Sequence, residues 1–235
     1  MESRGLSARG GAHNTRGRIS HALTAKQCEG IVAAVGHAQR IGLPLNRHWT
    51  VHWGKMGLSD AEAGPAWGRL LKLASDWARV RGLALAYVYV REHAPDAGKG
   101  SHVHILMHGS SHFSRYFASR SRAWIRLATG RPYVKGASLS RPVHGLKYDE
   151  ETGAALYRHN LEKVTRYLLK AATPETAAAL GLPRWGEAGS VTGKRCGWSQ
   201  NLGERARETR HMSPNFRALN AAKLGWCPCF PCGLN

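Results

Sequence analysis

The chain lacks several things that would have pointed elsewhere. No apolar run approaches the roughly 18 to 20 residues a membrane-spanning helix needs, so no membrane partner is expected. Met1-Glu2-Ser3-Arg4-Gly5 contains no apolar stretch of the kind a secretory signal carries, and the expected location is the cytoplasm. Acidic residues are scarce: 15 Asp and Glu stand against 34 Lys and Arg, a net charge of +19 before any of the 13 His is protonated. An excess that large, spread along the chain, points to a polyanion held through its phosphates, with affinity that falls steeply as salt rises. The five Cys are odd in number, which argues against a disulfide framework. Three of them, Cys227, Cys229 and Cys232, crowd the C-terminus and could hold zinc with a fourth ligand from Cys196 or His211. Their first spacing is tighter than zinc sites usually show, and a reduced, irregular tail is expected instead. There is no internal repeat and no Gly-x-x-x-x-Gly-Lys-Ser/Thr loop, so no attached helicase is expected.

What is present reads as one folded domain over residues 21–203, between a disordered basic arm (1–20) and a basic, Cys-containing tail (204–235). Ile31, Val32 and Val35 recur at helical spacing, with Thr24 as a cap and Gly42 and Pro44 closing the helix. Trp49, Val51 and Trp53 then alternate with His48, Thr50 and His52, which predicts a half-buried strand. Ser59-Asp60 caps a helix to about residue 81. A strand over 83–92 puts Val88, Val90 and Glu92 on one side and Tyr87, Tyr89 and Arg91 on the other. A loop over 93–100 turns into an antiparallel neighbour. A basic helix over 113–128 should face Tyr116, Phe117, Trp124 and Ile125 inward and carry Arg115, Arg120, Arg122 and Arg126 elsewhere. One or two short strands (133–148), a helix over 152–172, a short helix after Pro174 and a Gly-rich segment (186–203) follow. The expected class is α+β, a central antiparallel β-sheet flanked by helices.

Two stretches carry chemistry. In Ser101-His102-Val103-His104-Ile105-Leu106-Met107-His108 a strand sends Val103, Ile105 and Met107 to one face and His102, His104 and His108 to the other. Two imidazoles two residues apart on one sheet face are placed to clamp a metal, the alternative being a strand face that is merely His-rich. In the 152–172 helix Tyr157, Leu161, Val164 and Leu168 make a core stripe, while His159, Lys163, Arg166 and Lys170 gather opposite. Tyr167 falls on the border, with Lys163 and Lys170 four and three residues away, and cations beside a phenol favour phenolate and attract phosphate.

His102-Val103-His104 resembles the His-hydrophobic-His motif of the HUH endonucleases, and Tyr167-Leu168-Leu169-Lys170 resembles their Tyr-x-x-Lys nucleophile motif. The order, histidines before tyrosine, is similar to that of rolling-circle replication initiators of bacterial plasmids and filamentous phages. Gly193-Lys194-Arg195-Cys196-Gly197-Trp198-Ser199 also looks like a segment found in some of them. The resemblance implies an RRM-related palm, a divalent ion (Mg²⁺ or Mn²⁺) on His102, His104 and a third polar ligand, and a tyrosine that cuts one DNA strand and keeps its 5′ end. Glu92 is the expected third ligand, with His93, His52 and His108 as substitutes. Tyr167 would be the nucleophile. Lys170 would lower the phenol's pKa, ordinarily about 10, or steady transition-state charge. With Tyr157 in the core stripe, a one-tyrosine enzyme is expected. Single-stranded or origin DNA is the implied partner, contacted by Lys163, Arg166, Arg120 and Arg126, with a host replication helicase and polymerase as further partners. A relaxase or single-strand transposase would share the chemistry; a basic DNA-binding protein with a structural metal would not.

Overall fold

A computed structural model describes residues 17–94, 98–145, 150–183, 186 and 188–211. The elements run β1 (Ile19–Ser20), α1 (Ala25–Arg40), β2 (Arg47–His52), α2 (Asp60–Val80), β3 (Tyr87–Ala94), β4 (Gly100–Met107), α3 (Ser111–Thr129), β5 (Ser138–Pro142), α4 (Glu150–Leu169), α5 (Pro174–Ala179), β6 (Val191–Thr192), β7 (Cys196–Trp198) and α6 (Glu204–His211). Local chemistry sets the starts of the first two long helices. Thr24 and Gln27 form a reciprocal capping box at α1, and Ser59 and Glu62 form another at α2.

The fold is α+β. Five strands in the order β5-β2-β4-β3-β7, all antiparallel, make the central sheet, and β1 pairs with β6 beside it. Strand alternation divides the core in two. Trp49, Val51, Tyr89, Val103, Ile105 and Met107 pack against α2 and α3 on one face. Val88, Val90, Leu106 and Cys196 pack against α1 and α4 on the other. Burying each such large apolar side chain stabilises the fold by roughly 1.5–3 kcal/mol. Both faces are therefore covered around the central strand β4, and its histidines lie inside the protein rather than on a half-solvated surface. Among the described residues no helix is long and apolar enough to cross a membrane.

Several expectations need correction. The second strand starts at Tyr87 instead of residue 83 and runs on to Ala94. The 133–148 segment, expected to hold one or two short strands, supplies β5 among its described residues, within that expectation. Helix α4 ends at Leu169, so Lys170 stands on the turn beyond it. Tyr116 is 41% exposed; the inward side of α3 is Phe113, Phe117, Trp124, Ile125 and Ala128. Ile19 and Ser20, assigned to the arm, pair with Thr192 and Val191, while residues 1–16 lie outside the described residues. An irregular tail was expected from residue 204, yet α6 forms there. Cys227, Cys229 and Cys232 lie outside the described residues. Cys196 is buried in the core, where burial pushes its thiol up to about 11.

A buried ion pair fastens the sheet from the α2 side. Arg91, 2% exposed, donates to Asp60 Oδ1 (3.1 Å) and to the carbonyls of Asp60 and Thr192. Asp60 also accepts from Ser101 Oγ (3.1 Å) and from the Thr192 amide (2.5 Å). Arg91 and Ser101 directly precede Glu92 and His102, so this network holds the two strands from beneath the opposite face. Arg195 is likewise buried and donates to Ser20 and Gly189, which ties β1 to the approach to β7.

Candidate metal and tyrosine site

Register assembles the site. Thr50, His104 and Val90 stand side by side across β2, β4 and β3, and His52, His102 and Glu92 form the next row. Residues directly opposed across antiparallel strands share a face, so Glu92 and His102 look the same way, and His104, two residues on, joins them. Glu92 Oε2 lies 3.2 Å from His102 Nε2 and 3.7 Å from His104 Nε2. The potential ligand atoms of Glu92, His102 and His104 all lie within 4.8 Å of one another.

The rings are held from behind. His102 Nδ1 sits 3.0 Å from the Gly100 carbonyl, which only accepts, so Nδ1 keeps its proton and Nε2 is the atom that can ligate. His104 Nδ1 is 3.0 Å from Thr50 Oγ1, which fixes that ring's plane. Burial pushes the Glu92 carboxyl up, but the neighbouring His102 and His104 rings and the Lys170 charge outweigh it. The carboxyl is held well below the usual range and is charged at neutral pH. Burial lowers His104 in spite of Glu92.

The donor set fits a divalent cation on an observation of its own: Glu92 Oε1 is buried and has no hydrogen-bond partner. A desolvated carboxylate oxygen left unpaired is costly, and a cation shared with two imidazole nitrogens would satisfy it.

Tyr167 reaches this cluster from the last turn of α4. Its hydroxyl is 3.5 Å from His104 Nε2, its ring meets the His104 ring edge-on at 4.9 Å, and 43% of it faces solvent. Lys170 connects the parts, with Nζ 2.6 Å from Glu92 Oε2 and 4.6 Å from the centre of the Tyr167 ring. Glu92, His102, His104, Tyr167 and Lys170 thus converge on one place.

Other residues go elsewhere. Tyr157 is buried and donates to the Leu45 carbonyl. Lys163 is exposed on α4, and Arg166 joins Glu162 and the Gly181 carbonyl, linking α4 to the turn after α5. Arg120 and Arg126 sit on α3, across the sheet from Tyr167, and do not belong to the same surface. Of the substitute ligands, His108 is taken by the Pro44 carbonyl and His93 alternates to the other face. His52 stacks on His102 at 5.4 Å. His48 was not anticipated as a site residue. Its ring lies 5.7 Å from His104 and 5.8 Å from Tyr167, and its Nε2 is buried without a partner. The signal for it was available, since it shares the parity of Thr50 and His52.

No family model, curated protein or solved structure matches the chain.

Burial, helped by neighbouring His, Lys and Arg charges, lowers His48 and His52 to about 4. In the unfolded chain they titrate near 6.5. As pH falls the unfolded state takes up protons first, so their contribution is complete above about 6.5 and is lost between there and about 4. Glu92, also depressed, begins to add to this loss only below its own unfolded value of 4.5. Urea unfolding in EDTA should give a midpoint that drops between pH 7 and 5. A His48→Gln/His52→Gln variant should flatten that slope; an unchanged slope would remove these two rings from the account.

Proposed function

We propose that this protein is a metal-dependent, site-specific DNA-nicking and rejoining enzyme of the HUH type, with an RRM-like palm, that initiates rolling-circle replication in the cytoplasm of a bacterial host. The observation that carries the proposal is the Tyr167 hydroxyl against His104 at the edge of the Glu92-His102-His104 cluster. An exposed phenol beside a buried carboxylate-imidazole set joins a nucleophile to a cation site, and a basic chain supplies the affinity for DNA.

Glu92, His102 and His104 would hold Mg²⁺ or Mn²⁺, the carboxylate favouring such hard ions. Bound there, the ion would draw charge from the scissile phosphate as the phosphorane forms. The protein's own groups do the rest. Tyr167 Oη gives up its proton and bonds to phosphorus; the P–O3′ bond breaks, and the leaving oxygen takes up a proton to become a free 3′-hydroxyl. The 5′ phosphate stays on Tyr167, and the 3′-hydroxyl can prime synthesis or later return to reseal the strand. Lys170, poised between Glu92 and the Tyr167 ring, supplies a fixed positive charge beside the phosphoryl group. Burial of Tyr157 supports a single-tyrosine reaction.

A second reading, a DNA-binding protein with a structural metal, draws on the near-complete burial of the three ligands at 3%, 2% and 4% exposure for Glu92, His102 and His104. One experiment separates the two. Purified protein is incubated with a 3′-labelled, randomised single-stranded oligonucleotide pool in Mn²⁺, with and without EDTA, and run on a denaturing gel. A label that migrates with the protein only when metal is present is the expected result. No adduct from any sequence in the pool, with EDTA unfolding the protein, would replace the nicking enzyme by the structural-metal protein.

A further inference from the structure

Helix α3 poses a question that the tyrosine site does not answer. Its sequence, SHFSRYFASRSRAWIRLAT, contains four arginines and no acidic residue. Phe113, Phe117, Trp124, Ile125 and Ala128 seat it firmly on the sheet. At about 100° per residue, positions 115, 119, 122 and 126 fall in one outward stripe. All four are exposed. Among the described residues neither Arg115, Arg120, Arg122 nor Arg126 forms an ion pair, whereas Arg79, Arg131 and Arg166 each have a carboxylate partner. The sheet separates this stripe from Tyr167.

We infer that the outer face of α3 is a second nucleic-acid surface that docks duplex DNA, on the layer opposite the tyrosine site. The inference stands on charge and position and does not depend on the nicking reaction. From residue 115 to residue 126 the stripe is about 16 Å long at 1.5 Å per residue, or about five base pairs of duplex at 3.4 Å each. Cations at fixed spacing on a rigid helix match a stiff, regular polyanion. A flexible single strand is better held by aromatic platforms on which bases stack. The stripe itself is three arginines and a serine, with the Tyr133 ring beside it lying under Arg122 and exposed Tyr116 to one side. Contacts of this kind go to phosphates, so they set position and affinity without reading sequence. A strand in the tyrosine site and a duplex on α3 would then occupy opposite layers of one protein.

The test follows the affinity of a labelled 30-base-pair duplex by fluorescence anisotropy across salt concentrations, in EDTA. Arg115→Gln/Arg126→Gln should weaken binding at least about tenfold at 0.1 M salt and flatten the log–log salt slope by about two, at 0.9 per phosphate contact. Arg115→Lys/Arg126→Lys should keep the wild-type slope. Ser119→Glu adds a carboxylate four residues after Arg115 and three before Arg122, a spacing that quenches both arginines and supports the helix. It should reproduce the Gln defect with no loss of melting temperature. Wild-type affinity and slope in both Ser119→Glu and the Gln variant would overturn the inference. So would a loss that falls mainly on single strands, or one seen on anionic phospholipid vesicles but not on duplex.

Discussion

Tyr167→Phe is expected to abolish the covalent DNA adduct, with strand cleavage down by at least about 10³-fold, because the proposed reaction has no second nucleophile within reach. The substitution removes one oxygen and leaves the ring's edge-on packing against His104 and His48 in place. Stability and Mn²⁺ affinity should therefore stay near wild type, which a thermal melt and a calorimetric titration read beside the denaturing gel. Glu92→Gln should fail differently. It keeps the shape but removes the charge that faces His102, His104 and Lys170, so metal affinity and adduct should be lost together. An adduct that survives Tyr167→Phe would sink the mechanism, since Tyr157 is buried and bonded to Leu45.

The largest stability effect is expected at Asp60. Asp60→Asn leaves the Arg91 guanidinium, buried between α2 and β6, without its counter-charge, and turns an amide donor toward a place that needs acceptors on both oxygens. Breaking one side of a buried pair costs about 3–5 kcal/mol. In a domain of this size that lowers the melting temperature by roughly 10 °C. Arg91→Met alone should be nearly as harmful, and the two together less so than their sum, the sign of a coupled pair. Because Ser101 and Arg91 adjoin His102 and Glu92, Asp60→Asn should also weaken Mn²⁺ binding from the far side of the sheet. Metal affinity unchanged in a destabilised variant would confine the network to stability.

The sequence exposed the site more fully than the fold around it. His102 and His104 announce themselves by alternation, and Glu92 follows from parity once β3 and β4 are taken as neighbours; period-two geometry is strict enough to carry side chains to a face. The short strands carried no such signal. Cys196–Trp198 has three residues, and its middle one is Gly197, where a side chain would meet the Tyr89 ring at 3.0 Å. Ile19–Ser20 exists because Val191–Thr192 lies beside it, a pairing no local pattern announces. Arg91 and Arg195 look like surface charge in any composition count and are buried because carbonyls and Asp60 surround them. Likewise composition names Arg120 and Arg126 as DNA contacts but not their layer, which the sheet between α3 and Tyr167 sets.

The order of strands also sets an order in time. Glu92, His102 and His104 all belong to the antiparallel β3–β4 pair, whose strands follow one another in sequence with few residues between them. Hairpins of this kind close in about 1–10 μs, whereas pairing with β2 and docking of α4 must wait for much longer loops to close. With a cation site as proposed, a folding chain would have Glu92, His102 and His104 together on a nascent hairpin well before Tyr167 arrives. On the proposed function the site would be metallated first and armed last, and an incompletely folded chain, already loaded, would have no means to cut.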